Sequence, residues 1–290
     1  MINKLFVKVI PVLIKYKIAL AVSFTSTAGY LLYTRYFDFY IIALILGVFS
    51  LAGGASALNE FQEKEYDAKM KRTMNRPLPS GEISPKTALL IAVIFILSGF
   101  VILYVFFGKV PALLGLSNVF WYNLLYTNLK RITAFAVVPG SLTGAVPALI
   151  GWTAAGGNMF DMKIIFIAFF LFIWQIPHFW LLMLKYDKEY EAAGFPTINQ
   201  TVNPQNLKTI IFSWIISTSV FSLMAPLFIT NISIAFFIAI FCLNILFVAM
   251  FTKLSFGKVA ELNLKQSFIS INVYMFIFLI MITLYQVFGG

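Results

Sequence analysis

The sequence predicts an all-α polytopic membrane protein, with about nine transmembrane helices around a central cavity open to the cytoplasmic side. Three observations lead there. First, 61% of the 290 residues are hydrophobic and only 11% are charged, which lies outside the range of soluble domains. Second, apolar runs recur at 18–33, 40–58, 87–107, 110–127, 133–152, 162–184, 209–229, 232–251 and 267–288. A bilayer core needs roughly 20 apolar residues per helix, and these runs approach or reach that length. Third, eighteen of the 21 Lys and Arg residues fall before the first run or in alternate connectors, leaving Arg35, Lys109 and Lys163 on the other side. That bias predicts a multi-pass protein of a bacterial-type inner (cell) membrane, N-terminus cytoplasmic and C-terminus outside.

Residues 1–290 read as a single integral-membrane domain. Positions 1–17, with Lys4, Lys8, Lys15 and Lys17 but no small-residue cleavage site, read as a retained interfacial segment leading into the first span. The net charge of +10 is accounted for by topology and by attraction to anionic membrane lipid, so no nucleic acid is expected as a partner. The lone Cys242 excludes a disulfide framework or a cysteine metal site.

The second span ends in small residues, Gly53 to Ala57, which let helices approach closely. The connector that follows, 59–86, is the most polar stretch of the chain and reads as one cytoplasmic capping loop, with 185–208 as a second. If the chain stays helical as it leaves the membrane, Asn59, Glu63 and Asp67 fall at i, i+4 and i+8 on one stripe. Stacked carboxylates call for a cation between them, and Mg2+ takes one or two carboxylates with water and phosphate oxygens completing its shell. Arg72 and Arg76 follow before Pro77 and Pro79 break the helix. A charged connector is ordinarily a solvated loop carrying topology signals; the acidic stripe and a second basic cluster argue for a site.

That second cluster is Lys130 and Arg131, behind Asn118, Trp121, Tyr122, Asn123 and Tyr126. Amides within a span are costly unless they meet partners or line a cavity, which makes Asn118 and Asn123 candidates. The fifth run carries Pro139, Gly140, Gly144, Pro147 and Gly151, so a kinked, closely packed helix is expected. The sixth holds Gln175 and the only histidine, His178, with Asp187 and Glu189 two to three turns on. Two polar helix ends facing each other would form a pocket floored by apolar helices. The C-terminal third reads as scaffold and as walls for a lipid tail, with Asn231 at an outer turn and a charged loop holding Lys258 and Glu261.

Three motifs together resemble the UbiA superfamily of intramembrane prenyltransferases, and within it the heme-farnesylating branch. They are Asn59-x3-Glu63-x3-Asp67 running on through Arg72-Thr73 and Arg76-Pro77-Leu78-Pro79; Tyr126-Thr127-x2-Lys130-Arg131 running on to Gly151-Trp152; and Trp174-x2-Pro177-His178-Phe179 with Tyr190, Ala193-Gly194 and Pro196. Glu63 departs from the Asp usual in the first acidic motif, and His178 stands where other branches begin a second one. The resemblance implies Mg2+ on Asn59, Glu63 and Asp67, with Asp187 and Glu189 as a loosely aligned second set. It implies farnesyl diphosphate held by Arg72, Arg76, Lys130 and Arg131, and transfer of its farnesyl group to a vinyl group of heme b. Tyr126, Asn123, Trp121 and His178 would serve the acceptor or the allylic cation, and His178 could hold heme, orient it or move a proton. Contact with heme A synthase or a terminal oxidase assembly is a further implication. Two alternatives stay open: a related enzyme with an aromatic quinone-precursor acceptor, and a lipid or heme transporter.

Overall fold

The computed structural model describes residues 8–229, 232–256 and 263–289; Lys4, Asn231, Lys258 and Glu261 lie outside the described residues, as do residues 1–7 of the expected interfacial segment. Every described element is helical. The long ones are α1 (Tyr16–Thr34), α2 (Tyr40–Gln62), α3 (Pro85–Phe107), α4 (Lys109–Phe120), α5 (Ala134–Ala154) and α6 (Met162–Lys185). The short α7 (Asp187–Ala193) precedes α8 (Pro204–Leu223), α9 (Ile234–Phe256) and α10 (Leu264–Phe288).

Seven of the described helices are long and apolar enough to cross a bilayer: α2, α3, α5, α6, α8, α9 and α10. The chain is an integral, multi-pass membrane protein. The two other predicted spans coincide with α1, which is rich in hydroxyls and tyrosines, and α4, which has only 12 residues before its π-helix. Beyond Phe120, α4 widens into a π-helix, Trp121–Tyr126, and closes with one α-turn, Thr127–Leu129.

Local signals set the ends. Ser84 caps α3 by accepting the Thr87 N–H at 3.1 Å, with Pro85 in the first turn, and the helix stops at Gly108 with φ of 85°. Asp161 caps α6 and Asn203 caps α8 in the same way. Within α5, Pro147 removes the donor that Thr143 would otherwise meet. The Asn118 side-chain amide donates to that carbonyl at 3.0 Å and so satisfies the backbone that the proline leaves open.

The helices pack in sequence order through α6, α8 and α9, and α10 returns to α1 to close the bundle. The crossings of α1 with α5 and of α2 with α3 are close because their contact positions lack side chains. A Cβ on Gly151 would lie 1.7 Å from the Ser26 carbonyl oxygen, and one on Gly99 would lie 2.6 Å from the Gly47 carbonyl oxygen. Gly151→Ala should therefore lower stability by about 1–3 kcal/mol through overpacking, whereas Val105→Ala, at an exposed position, should stay near wild type. Thermal unfolding in detergent, followed by helical signal and monodispersity, checks both.

Candidate active site

The end of α2 builds the site. The helix stops at Gln62, and Glu63 is a kink with φ of −111° and ψ of 11° before a single turn, Lys64–Asp67. The expected unbroken helix is thus interrupted, because the chain turns here to lay its loop across the end of the bundle. The stripe survives: the Glu63 N–H reaches the Asn59 carbonyl at 3.0 Å, and the Asp67 N–H reaches the Glu63 carbonyl at 2.8 Å. Asn59, Glu63 and Asp67 are 2%, 4% and 1% exposed. Carboxylates so far from water need charged partners.

Each has one. Lys130 places its ammonium 2.6 Å and 2.5 Å from the two Glu63 oxygens. Arg76 donates to Asp67 Oδ2 at 2.7 Å. Lys15 donates to Asn59 Oδ1 at 3.0 Å, while the Asn59 amide donates to Thr127 Oγ1 at 3.2 Å. Lys15 and the fully buried Glu60 are the two members of this group that sequence reasoning missed. Lys15 sits at the head of α1 with φ of 48°, a left-handed conformation that costs a lysine on the order of 1 kcal/mol. Burial, and next Arg76, lower its ammonium pKa to about 8. Glu60 accepts the Leu78 N–H at 3.1 Å, which ties the Pro77–Pro79 bend to α2; its Oε2 has no partner among the described residues.

The remaining predicted residues divide. Arg131 points away from its neighbour Lys130: it donates to the Gln62 carbonyl at 2.8 Å, capping the end of α2, and lies 5.0 Å over the Tyr66 ring. Arg72 gives its backbone N–H to Glu189 at 2.9 Å and rests its guanidinium on Tyr186 at 4.7 Å, so of the two loop arginines it is Arg76 that pairs with the stripe. Asn123 clamps α4 to α2, donating to the Ala55 carbonyl at 3.0 Å and to Gln62 at 3.1 Å. Trp121 donates to the Pro139 carbonyl at 2.8 Å and so fastens α4 to α5.

Tyr126 stays at the site. The π-helix stacks it between Tyr122 and Phe179, both with ring centroids at 5.8 Å, and the Lys130 ammonium lies 5.6 Å from its centre. A hollow of about 50 Å³ runs from Lys130 along Tyr126, Phe179 and Met183 to Tyr190 and Phe195. His178 turns toward α10 instead, 4.8 Å from Phe268 and 4.9 Å from Trp174, with Nδ1 buried and unpartnered among the described residues. Asp187 lines a separate cavity of about 410 Å³ together with Glu189, Lys185, Lys188 and Lys208. Among the described residues, no hydrogen bond or ion pair joins either acid to Asn59, Glu63 or Asp67.

The two capping segments meet over the hollow, where Met70 and Tyr66 pack with Ala193, Phe195 and Tyr190. Among the described residues, no three His, Cys, Asp or Glu side chains gather into a closed metal cage. The stripe instead supplies two carboxylates and an amide oxygen, with the orphaned Glu60 oxygen close behind in sequence. That oxygen-only, incomplete donor set fits a hard divalent ion such as Mg2+, whose shell a substrate phosphate completes.

Known proteins agree with this architecture. The sequence profile of the UbiA prenyltransferase family matches residues 21–285. The chain is 34% identical over 266 residues to a protoheme IX farnesyltransferase of Christiangramia forsetii, covering 89% of this chain and 87% of that one. A protoheme IX farnesyltransferase of Geobacter sulfurreducens is 40% identical over 185 residues, covering 64% and 68%. A digeranylgeranylglyceryl phosphate synthase structure superposes with a TM-score of 0.79 at 17% identity, over 97% and 98% of the two chains. A UbiA homolog from Archaeoglobus fulgidus bound to GPP and Mg2+ superposes with a TM-score of 0.71 at 13% identity, over 96% and 99%. The chain belongs to the UbiA prenyltransferase family.

Proposed function

We propose that the chain transfers a farnesyl group from farnesyl diphosphate to a vinyl group of heme b, with water added, giving heme O and diphosphate. The observation that carries the chemistry is the buried meeting of Lys15, Arg76 and Lys130 with Asn59, Glu63 and Asp67 at one polar end of an otherwise apolar bundle. The acceptor follows from the relatives named protoheme IX farnesyltransferase, one of which spans most of both chains. The basic bias supports nine crossings with this polar end in the cytoplasm, the N-terminus inside and the C-terminus outside.

Diphosphate leaves only when its growing negative charge is met by fixed positive groups. Lys130, Arg76 and Lys15 converge where those oxygens would lie, and Arg131 supports them from the end of α2. Asn59, Glu63 and Asp67 would hold Mg2+, which when bound supplies further positive charge to the diphosphate oxygens. The departing group leaves an allylic cation, which the aromatic lining of the hollow, Tyr126 with Phe179 and Tyr190, can stabilise. Phe179 and the apolar walls keep water from it until the vinyl carbon has reacted. The present hollow is smaller than a prenyl chain, so the capping segments part on loading. His178 we assign to the acceptor side, since it lies on α6 facing α10 with Phe179 between it and Tyr126.

The direct test supplies the protein in lipid nanodiscs with farnesyl diphosphate, Mg2+ and either heme b or 4-hydroxybenzoate. Mass spectrometry should find the hydroxyethylfarnesyl heme in the first reaction and no prenylated product in the second; the reverse pattern overturns the acceptor. Asp67→Asn should reduce turnover by at least about 10²-fold, the scale of losing one transition-state electrostatic group, while the protein still folds in membranes. Normal Mg-dependent product from that variant would remove Asp67 from the metal site. His178→Ala should raise the apparent KM for heme several-fold and leave that for farnesyl diphosphate nearly unchanged. An equal loss for both substrates would make the histidine structural.

A further inference from the structure

Every side chain assigned to the metal already has a cation of this chain in contact with it. Glu63 has Lys130 on both oxygens, Asp67 has Arg76 at 2.7 Å, and Asn59 has Lys15 at 3.0 Å. These cations arrive from three separate segments: the link ahead of α1, the loop after α2 and the end of α4. Their formal charges balance those of Glu60, Glu63 and Asp67. A bare divalent ion entering this group would find two carboxylates already neutralised and three positive side chains within a few ångströms, a repulsion that low local dielectric enlarges. The third acid of the group, Glu60, already gives one oxygen to the Leu78 N–H, and among the described residues no three acidic, cysteine or histidine side chains gather into a metal cage. A diphosphate changes the balance. Its oxygens offer the lysines and the arginine charge-assisted hydrogen bonds of their own, and the carboxylates are then released to face a metal.

We infer that Lys130, Arg76 and Lys15 form an exchange lock, holding the carboxylates closed to free divalent ions and transferring to the diphosphate when it arrives, so that metal and diphosphate bind with strong positive coupling. The inference rests on the proposed donor site and adds its order of assembly: the metal enters with the diphosphate rather than ahead of it. Because linkage is reciprocal, the diphosphate gains from the metal by the same factor. It also separates two roles of one residue. Lys130 opposes the metal in the empty site and assists the diphosphate in the loaded one, so its removal should shift the two affinities in opposite directions. A residue that only holds the fold together would shift both the same way.

The test uses the full chain in nanodiscs of neutral phosphatidylcholine, with Mn2+ as the probe, read by its free-ion paramagnetic resonance signal, and radiolabelled inorganic pyrophosphate, read by retention. Wild type should bind Mn2+ alone weakly, and should retain pyrophosphate about 100-fold better with Mn2+ than without, the upper range of measured coupling factors. Lys130→Met should bind Mn2+ alone about tenfold more tightly than wild type and lose most of the Mn2+-dependent gain in pyrophosphate retention. Arg76→Met should repeat this pattern at Asp67, which keeps the test decisive if one variant is poorly folded. The inference is overturned if wild type binds Mn2+ alone as tightly as the two methionine variants, or if both variants bind it more weakly. No acceptor or turnover enters this assay, so failure to make heme O would sink the proposed reaction and leave the lock standing, and the converse holds equally.

Discussion

The contact on which the rest depends is the buried pairing of Glu63 with Lys130. Taking two charges out of water costs several kcal/mol per ion before their attraction returns any of it, so such a pair is a poor means of stabilising a fold. Apolar residues of similar volume would hold α2 against α4 as well or better. Here two such pairs stand side by side, with side chains of Glu63 and Asp67 at 5% and 2% exposure. The arrangement makes sense as a set of charges kept ready for a ligand of high negative charge. The fold then has to bring three cationic segments to one place and hold them, partly buried, over sealed acids.

The bundle does this through close crossings and backbone repair. Gly151 against Ser26 and Gly99 against Gly47 bring helix axes together, which small residues permit and larger ones forbid. Asn118 satisfies the carbonyl that Pro147 orphans, and Arg131 satisfies the last carbonyl of α2. The π-helix inserts into α4 at the depth of the site, as such bulges often do. It lets Asn123 face α2 while Tyr126 faces Phe179 and α6. Asn118, Asn123 and Arg131 are thus occupied in holding backbone, and contact with a substrate anion is left to Lys130, Arg76 and Lys15, which rest on the stripe.

Much of this was legible from the residues. Length and apolarity located the long helices to within a few positions, and the spacing of Asn59, Glu63 and Asp67 survived even though the helix kinks at Glu63. What was not legible depends on where the backbone turns. Lys15 looks in sequence like Lys8 or Lys17, another topology charge; only its left-handed backbone aims it at Asn59. Glu60 lies one position round the helix from the stripe, and its partner is a backbone N–H eighteen residues later, which no spacing rule reveals. Lys130 and Arg131 are adjacent, just past the helix end at Leu129, yet one meets Glu63 and the other caps α2. Asp187 and Glu189 resemble the first acidic cluster in composition, but α7 faces them toward a lysine-lined cavity and the loop backbone.

The two capping segments show why the site can be both closed and accessible. Among the described residues they join through a small apolar cluster of Met70, Ala193 and Phe195, a hydrogen bond from the Arg72 N–H to Glu189, the Arg72 guanidinium over Tyr186, and the tilted contact of Tyr66 with Phe195. That is little surface beside the continuous packing of α5, α6, α8 and α10 below it. Segments with few buried apolar contacts open at a small fraction of the free energy that unfolds the whole. Lys130 and Arg76 are each about one-fifth exposed at this lid, while the acids beneath them are sealed. An incoming anion therefore meets the cations first and the carboxylates only after the cations have moved. The order in which the side chains are exposed is the order in which the proposed chemistry needs them.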